Sequence, residues 1–272
     1  MKDPEAMGDA ADDSAAAGAI ADSWGELRRF TPARLALGRS GDSLPTAAWL
    51  QFSLAHAQAR DAVRVQLDVP GLERQLLAAG FASFTVHSAA RDAAEYLRRP
   101  DAGRRLDERS SEALRTAAQG RPAHSLAVVI GDGLSAWAVQ RHALPVLCEL
   151  RARVADLQQA AVIVAVRARV ALGDEIGALL QAEQVIVLIG ERPGLSSHDS
   201  LGIYFTYAPR VGRSDAERNC ISNVRPEGLS YAQAAHRLAF LMAGARRLGR
   251  SGTALKDESA APLLARTASE RP

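Results

Sequence analysis

Residues 125–140 read SLAVVIGDGLSAWAVQ: a short apolar run, a glycine-bounded turn, then sequence that resumes at helical spacing. A run of this length ending on Gly131 and Gly133 is a strand leading into a helix. Four more runs have the same form: FASFTVH (81–87), AAVIVAVRAR (160–169), VIVLIGERPG (185–194) and GIYFTYAPR (202–210). Between them lie helical stripes. Leu147, Leu150, Val154 and Leu157 form one, with Pro145 suited to its first turn, and Ile176, Leu179 and Leu180 form another. Ser230 with Gln233 is a capping box that opens a helix through Ala234, Leu238 and Leu241, and Arg246, Arg247 and Gly249 close it. Strands alternating with helices predict an α/β fold, a Rossmann-like, doubly wound and mostly parallel sheet over 81–250.

Outside that span the texture differs. From Trp24 to Gly80 the pattern is helical with no strand run: TAAWLQFSLAHAQARDAV (46–63) spaces Trp49, Leu50 and Leu54, and GLERQLLAAG (71–80) spaces Leu72, Leu76 and Leu77 before a stopping glycine. This predicts an N-terminal helical extension over 24–80. Residues 1–23, rich in Ala and Asp, and the polar tail 251–272 bury too little apolar area to offset ordering entropy and are expected to be flexible.

Bulk composition excludes several function classes. The chain has 272 residues, 47% of them hydrophobic, which is enough to build a core. No apolar stretch reaches membrane-spanning length, and MKDPEAMGDAADDSAAAGAIAD is acidic where a secretory signal would be basic and then apolar. A net charge of +2, with basic residues scattered rather than clustered, argues against a nucleic-acid partner. All but Lys2 and Lys256 of the 33 basic residues are arginine, which fits a coding bias better than any arginine-specific chemistry. Cys148 and Cys220 are too few and too far apart for a disulfide framework or a zinc site, which suits the cytoplasm.

In an open parallel sheet, ligands bind outside the carboxyl ends of the strands. Those ends are Gly131 to Ser135, Arg167 to Asp174 and Gly190 to Asp199, joined by the polar segment around Cys220. GDGLSA (131–136) matches the dinucleotide pattern G-x-G-x-x-G/A, but the following strand ends in Arg167, Ala168 and Arg169 rather than a ribose-binding acid. That leaves either an NADP-type oxidoreductase or a plain tight turn. There is no nucleophile elbow, phosphate-loop lysine or zincin histidine pair, and the six histidines sit singly, with His198 alone in a crevice loop. Cys148, on the apolar face of a helix, reads as a buried inert thiol; Cys220, in Cys-Ile-Ser-Asn, sits among small polar groups.

Several distinctive segments in order carry a resemblance: ARLALGRSGDSLPT (33–46), LRRPDAGRRLD (97–107), VVIGDGLSAWAV (128–139), LIGERPGLSSHDSLGIYFTYAPR (188–210) and CISNVRPEG (220–228). From about Arg34 to Gly249 the chain resembles the light chain (small subunit) family of ethanolamine ammonia-lyase. The resemblance implies a subunit of an adenosylcobalamin-dependent lyase that converts ethanolamine to acetaldehyde and ammonia by radical chemistry. A Rossmann-like domain would grip cobalamin from one side while a heavy chain with a TIM-type barrel supplies the substrate site, so no catalytic residue and no protein ligand to cobalt is expected on this chain. It further implies cobalamin contacts from Val170 in RARVALGDEIG, Glu191 in GERPG and Cys220 in CISN. Position in the strand-end loops adds Asp132, Gly133, Ser135 and Asn223.

These residue types suit a flat, largely apolar macrocycle fringed with amides: Glu191 can accept amide N–H groups, and Val170 and Cys220 can pack against the corrin edge. Arg192 either holds Glu191 or faces the cofactor phosphate. No histidine has Asp two residues before it, so the D-x-H-x-x-G pattern of base-off enzymes is missing and a base-on cofactor is expected. Family members can use the N-terminus for encapsulation, which makes a microcompartment shell a second expected partner and a bacterial microcompartment the expected location. The alternatives are the NADP-type oxidoreductase and a non-catalytic docking module.

Overall fold

The computed structural model describes residues 19–31, 33–120 and 122–260. Residues 1–18 and 261–272, on which most of the expected flexible ends fall, lie outside them. The chain divides into two compact units between Gln58 and Ala59.

The first unit holds a 3₁₀ turn, Gly25–Phe30, two isolated antiparallel bridges (Ile20 with Arg39, Ser40 with Ser43) and most of helix α1, Thr46–Arg64. The helix forms as its spacing predicts. Its stripe, however, faces outward: Trp49, Leu50 and Leu54 are all more than half exposed. Among the described residues of this unit only Ala55 is buried, so those residues form no apolar core of their own.

The second unit is built on six strands: β1 (Ser83–His87), β2 (Leu126–Gly131), β3 (Ala161–Val166), β4 (Gln184–Gly190), β5 (Leu201–Tyr207) and β6 (Asn219–Val224). Their order is β1-β3-β2-β4-β5-β6. The pairs β1/β3, β3/β2 and β2/β4 are parallel; β4/β5 and β5/β6 are antiparallel. The expected mostly parallel sheet is present, with two departures. GIYFTYAPR is not another parallel unit but β5, which turns straight back along β4 after the 191–200 loop. β6 was not foreseen, because its inward residues are interrupted by polar ones.

Helices cover the sheet on both faces. On one, α2 (Val69–Ala78), α5 (Ala136–Arg151) and α7 (Tyr231–Leu248) pack against Leu126, Val128, Ile130, Ile186, Leu188, Leu201, Ile203 and Phe205. On the other, after the short α3 (Ala93–Arg98), α4 (Glu108–Ala118) and α6 (Leu172–Leu179) pack against Ala127, Val129, Ile163, Val185, Val187 and Ile189. Neighbours along β2 and β4 therefore belong to opposite cores, which is why both strands read as continuous apolar runs. Each fully buried Leu, Ile or Val contributes roughly 1.5–3 kcal/mol.

Several local signals resolve as the chemistry requires. Ser230 and Gln233 form the reciprocal capping box of α7, and Gly249 ends it in the left-handed conformation. Pro145, in contrast, lies inside α5 and not in a first turn, because Ser135 caps that helix ten residues earlier. Cys148 is exposed rather than buried: the inward face of α5 is carried by Val139, Ala143, Val146, Leu147 and Leu150. Nor is Ser251 the start of a loose tail. Its hydroxyl donates to the Glu217 carbonyl and accepts from Tyr207 N–H, and the Asn219 side chain accepts from Gly252 N–H.

Candidate functional site

β1 through β4 point their carboxyl ends to one edge, and β5 starts from that edge because Leu201 pairs with Gly190. β6 runs back toward it and ends beside β5, with Val224 opposite Leu201. Asp132, Gly133, Ser135, Val170, Glu191 and Asn223 thus meet at one edge from separate stretches of chain, while Cys220 lies a few residues down β6.

The loop after β2 closes tightly. Asp132 accepts from Arg167 N–H at 2.8 Å and Ala168 N–H at 2.9 Å, tying the β2 and β3 exits together. Burial pushes its carboxyl up, and the backbone donors that include Arg167 and Ala168 oppose that shift. Leu134 N–H donates to the Gly190 carbonyl at 3.0 Å. Ser135 caps α5 by accepting from Ala138 N–H at 3.3 Å, and its hydroxyl donates to the His198 carbonyl at 3.0 Å. The His198 ring packs edge-on to Trp137. The 191–200 loop is thus tied to the start of α5 through the His198 carbonyl, and Gly133, at φ +58°, makes GDGLSA a tight turn. Asp132 and Ser135 act as joints that hold loops in place.

Glu191 is the junction of the outer strands. Its carboxylate accepts from the Ser200 hydroxyl, the Ser222 hydroxyl and, at 3.3 Å, Asn223 N–H. Arg192 does not hold it; that side chain is exposed. A bulge makes the arrangement possible. Leu201 pairs with Val224 and Ile203 with Ile221, so Ser222 and Asn223 together oppose the single residue Gly202. Asn223 takes φ +58°, a left-handed conformation that Asn tolerates. A Cβ on Gly202 would lie 3.0 Å from Glu191 Oε1, so the glycine leaves room for the carboxylate.

The extra residue also shifts the side-chain phase. Ile221 and Val224 face the α7 core, whereas Cys220 and Ser222 are exposed on the opposite face, where Cys220 pairs with half-buried Tyr204. Desolvation beside the sheet and the Glu191 charge hold the Cys220 thiol above its ordinary value despite its exposed edge. Desolvation and Cys220 likewise raise the Tyr204 phenol. Val170, partly buried at the entrance to α6, shares with Tyr204 a cleft of about 450 Å³. Tyr204 thus lies across the cleft from Val170 and beside Cys220, and Glu191 lies against Gly202 two residues earlier on the same strand.

Sequence reasoning missed a second group behind this edge. Asp199 accepts from Arg141 at 2.9 Å and Arg225 at 3.2 Å, and lies 3.6 Å from His142 Nε2. His142 Nδ1 in turn meets the Tyr231 hydroxyl at 2.8 Å. This cluster pins the 191–200 loop to α5 and α7. Its members lie far apart in the chain, and no spacing announces them. Among the described residues, no cluster of three His, Cys, Asp or Glu could hold a metal ion, and no helix is long and apolar enough to cross a membrane.

The family model described as ethanolamine ammonia-lyase light chain matches residues 21–256. The chain is 57% identical over 247 residues to the ethanolamine ammonia-lyase small subunit of Xanthomonas campestris pv. campestris, covering 89% of this chain and 90% of that relative. It is 56% identical over 244 residues to the small subunit from Pseudomonas syringae pv. tomato, covering 89% and 85%. The Ralstonia nicotianae small subunit is 54% identical over 244 residues, covering 89% and 90%.

Proposed function

This chain belongs to the ethanolamine ammonia-lyase light chain family, and from that premise we propose that it is the cofactor-gripping subunit of a carbon–nitrogen lyase acting on ethanolamine. The partner is a large subunit that carries the substrate site, and the Rossmann-like region over 81–250 is the part that binds cobalamin. When bound, adenosylcobalamin supplies the radical for the elimination that yields acetaldehyde and ammonia.

The observation that carries this reading is that Cys220 and Glu191 flank Tyr204 and Gly202 on the strand that faces Val170 across one cleft. A corrin needs a flat rim with a carboxylate acceptor at its edge, and these residues suit it. An ionised carboxylate has about four acceptor positions. Glu191 spends three within the chain, which keeps it rigid and leaves one for a corrin amide. Val170 and Cys220 provide small surfaces against the ring edge. Asp132, Gly133, Ser135 and Asn223 act one step back, holding the loops that present those three.

The cofactor binds base-on, with no protein ligand to cobalt. Support comes from the missing Asp-x-His pattern and from His198, whose carbonyl is tied to Ser135 and whose ring packs on Trp137. An electron paramagnetic resonance spectrum with histidine nitrogen on cobalt would overturn this. Residues 1–22 direct the assembly to a microcompartment shell, and unchanged shell co-localisation after their deletion would reject that role.

The decisive experiment co-purifies the tagged chain with its large subunit and titrates adenosylcobalamin and NADPH separately. Corrinoid binding that needs both subunits, with acetaldehyde formed from ethanolamine, is the expected result. NADPH binding by the chain alone would favour an oxidoreductase, and binding of neither ligand would favour a docking module.

A further inference from the structure

On the α5 and α7 side of the molecule, one carboxylate gathers groups from three segments. Asp199 Oδ2 accepts from Arg141 of α5, and its Oδ1 accepts from Arg225, which follows β6. His142, the next residue of α5, has a side chain only 5% exposed. Its Nδ1 meets the Tyr231 hydroxyl of α7 at 2.8 Å, whereas Nε2 is buried with no hydrogen-bond partner, 3.6 Å from Asp199 Oδ2. Buried ring nitrogens are rarely left in that state.

The same carboxylate holds the 191–200 loop. Arg225 also donates to the Ser196 carbonyl, and the Ser135 hydroxyl donates to the His198 carbonyl. Ser200, next in sequence to Asp199, donates its hydroxyl to Glu191 and accepts from Glu191 N–H at 2.9 Å. What fixes Asp199 therefore fixes Glu191 through one peptide.

We propose that Asp199 and His142 form a pH-sensitive latch that positions Glu191, closed while the imidazole is neutral and released when it takes a proton. The proposal rests on the cobalamin reading above only in what Glu191 binds. In the closed loop a proton on Nε2 finds no acceptor within hydrogen-bond distance. Both Asp199 oxygens are already engaged, so one carboxylate would face three cations, Arg141, Arg225 and the imidazolium, with His198 on the loop as a further basic group. Glu227, 3.9 Å from Arg225, is too exposed to offset them. Burial holds the imidazole below its ordinary value, with Asp199 opposing and Arg141 assisting. The neutral ring fits the closed loop, and acid favours a loop that has moved away and let water reach Nε2.

Hydrogen exchange read by mass spectrometry on the two-subunit complex follows the loop directly. Equilibrium dialysis of cyanocobalamin follows binding in the same samples, at about pH 7.5 and about pH 5. In wild type the backbone of 191–199, corrected for the chemical exchange rate, is expected to lose protection about tenfold at the lower pH, and cyanocobalamin affinity to fall about fivefold. His142→Gln keeps a polar group for Tyr231 but does not titrate in this range, and should show neither change. Asp199→Asn should give the open loop and the weaker binding at both pH values. Equal wild-type protection at the two pH values, or a loss that persists in His142→Gln, overturns the latch. A loop that opens while cyanocobalamin affinity stays constant overturns its role in positioning Glu191. Failure to bind cyanocobalamin at either pH overturns the cobalamin reading, and the exchange result still decides the latch.

Discussion

The carbonyl oxygen of Gly190 lies 2.2 Å from where a Cβ on Gly133 would be, and Gly133 holds φ +58°. The β2 and β4 exits therefore meet backbone to backbone, and the obstacle to a side chain there is a carbonyl group that cannot rotate away. Gly133→Ala combines left-handed strain with a clash against main chain, and should cost about 2–4 kcal/mol. Urea denaturation of the variant would show it as a lower midpoint at unchanged slope. A midpoint equal to wild type would mean that the two exits are not packed as described.

Glu191 joins Ser200 to the bulge of β6, so its loss should be felt in folding as well as in binding. Glu191→Ala leaves the two hydroxyls and Asn223 N–H without their acceptor and should cost about 1–3 kcal/mol. Glu191→Gln retains one oxygen acceptor and should recover part of that loss. Denaturant midpoints compared with corrinoid affinity in the same three proteins separate the two effects. A fully stable alanine variant with weak binding would leave Glu191 a ligand contact and nothing more.

Arg218 and Asp174 form a pair whose side chains are 2% and 3% exposed. Burial raises the Asp174 carboxyl, and the Arg218 guanidinium opposes that shift. Arg218→Met strands Asp174 as an uncompensated buried acid and should destabilise the chain by about 3–5 kcal/mol. The double change Arg218→Met with Asp174→Leu should restore much of it. A double-mutant cycle read by thermal unfolding tests this, and additive losses would refute the coupling.

Acid should weaken the loop cluster in two stages. Burial holds the His142 imidazole below its ordinary value, with Asp199 only partly opposing. Its stabilising contribution is full above the unfolded value near 6.5 and is lost as pH falls through the lower folded value. Asp199 is also depressed; burial works against this, but hydrogen bonds from Arg141 and Arg225 and charge from His198 and His142 prevail. Its contribution is full above about pH 4 and is lost as pH falls further. Urea midpoints followed from pH 7 to pH 3 should decline in both windows, and His142→Gln should flatten only the upper one. A decline near pH 6 that persists in His142→Gln would point to another group.

Much of the candidate site was legible in the sequence because glycines and charges interrupt apolar runs. GDGLSA and GERPG each mark the end of a buried strand, and a buried strand can end only where its backbone groups find new partners. The antiparallel return of β5 was harder to read, since a buried strand looks alike in either direction. β6 had a signal of its own: Ile221 and Val224 are three apart where strand alternation calls for two, and that extra residue is the bulge.

What this chain's sequence determined alone was five of the six strands, the cap of α7, the residue types at the carboxyl edge and, through the family segments, the lyase subunit to which they belong. Only the tertiary structure decided what those residues do. Asp132 binds the next loop's backbone, Glu191 is held by Ser200, Ser222 and Asn223, and four arginines from separate segments line one cleft. Period and propensity act over a few residues and leave a trace in local order. Hydrogen bonds and charges join residues tens of positions apart, and their partners exist only once the sheet has brought its strand ends together.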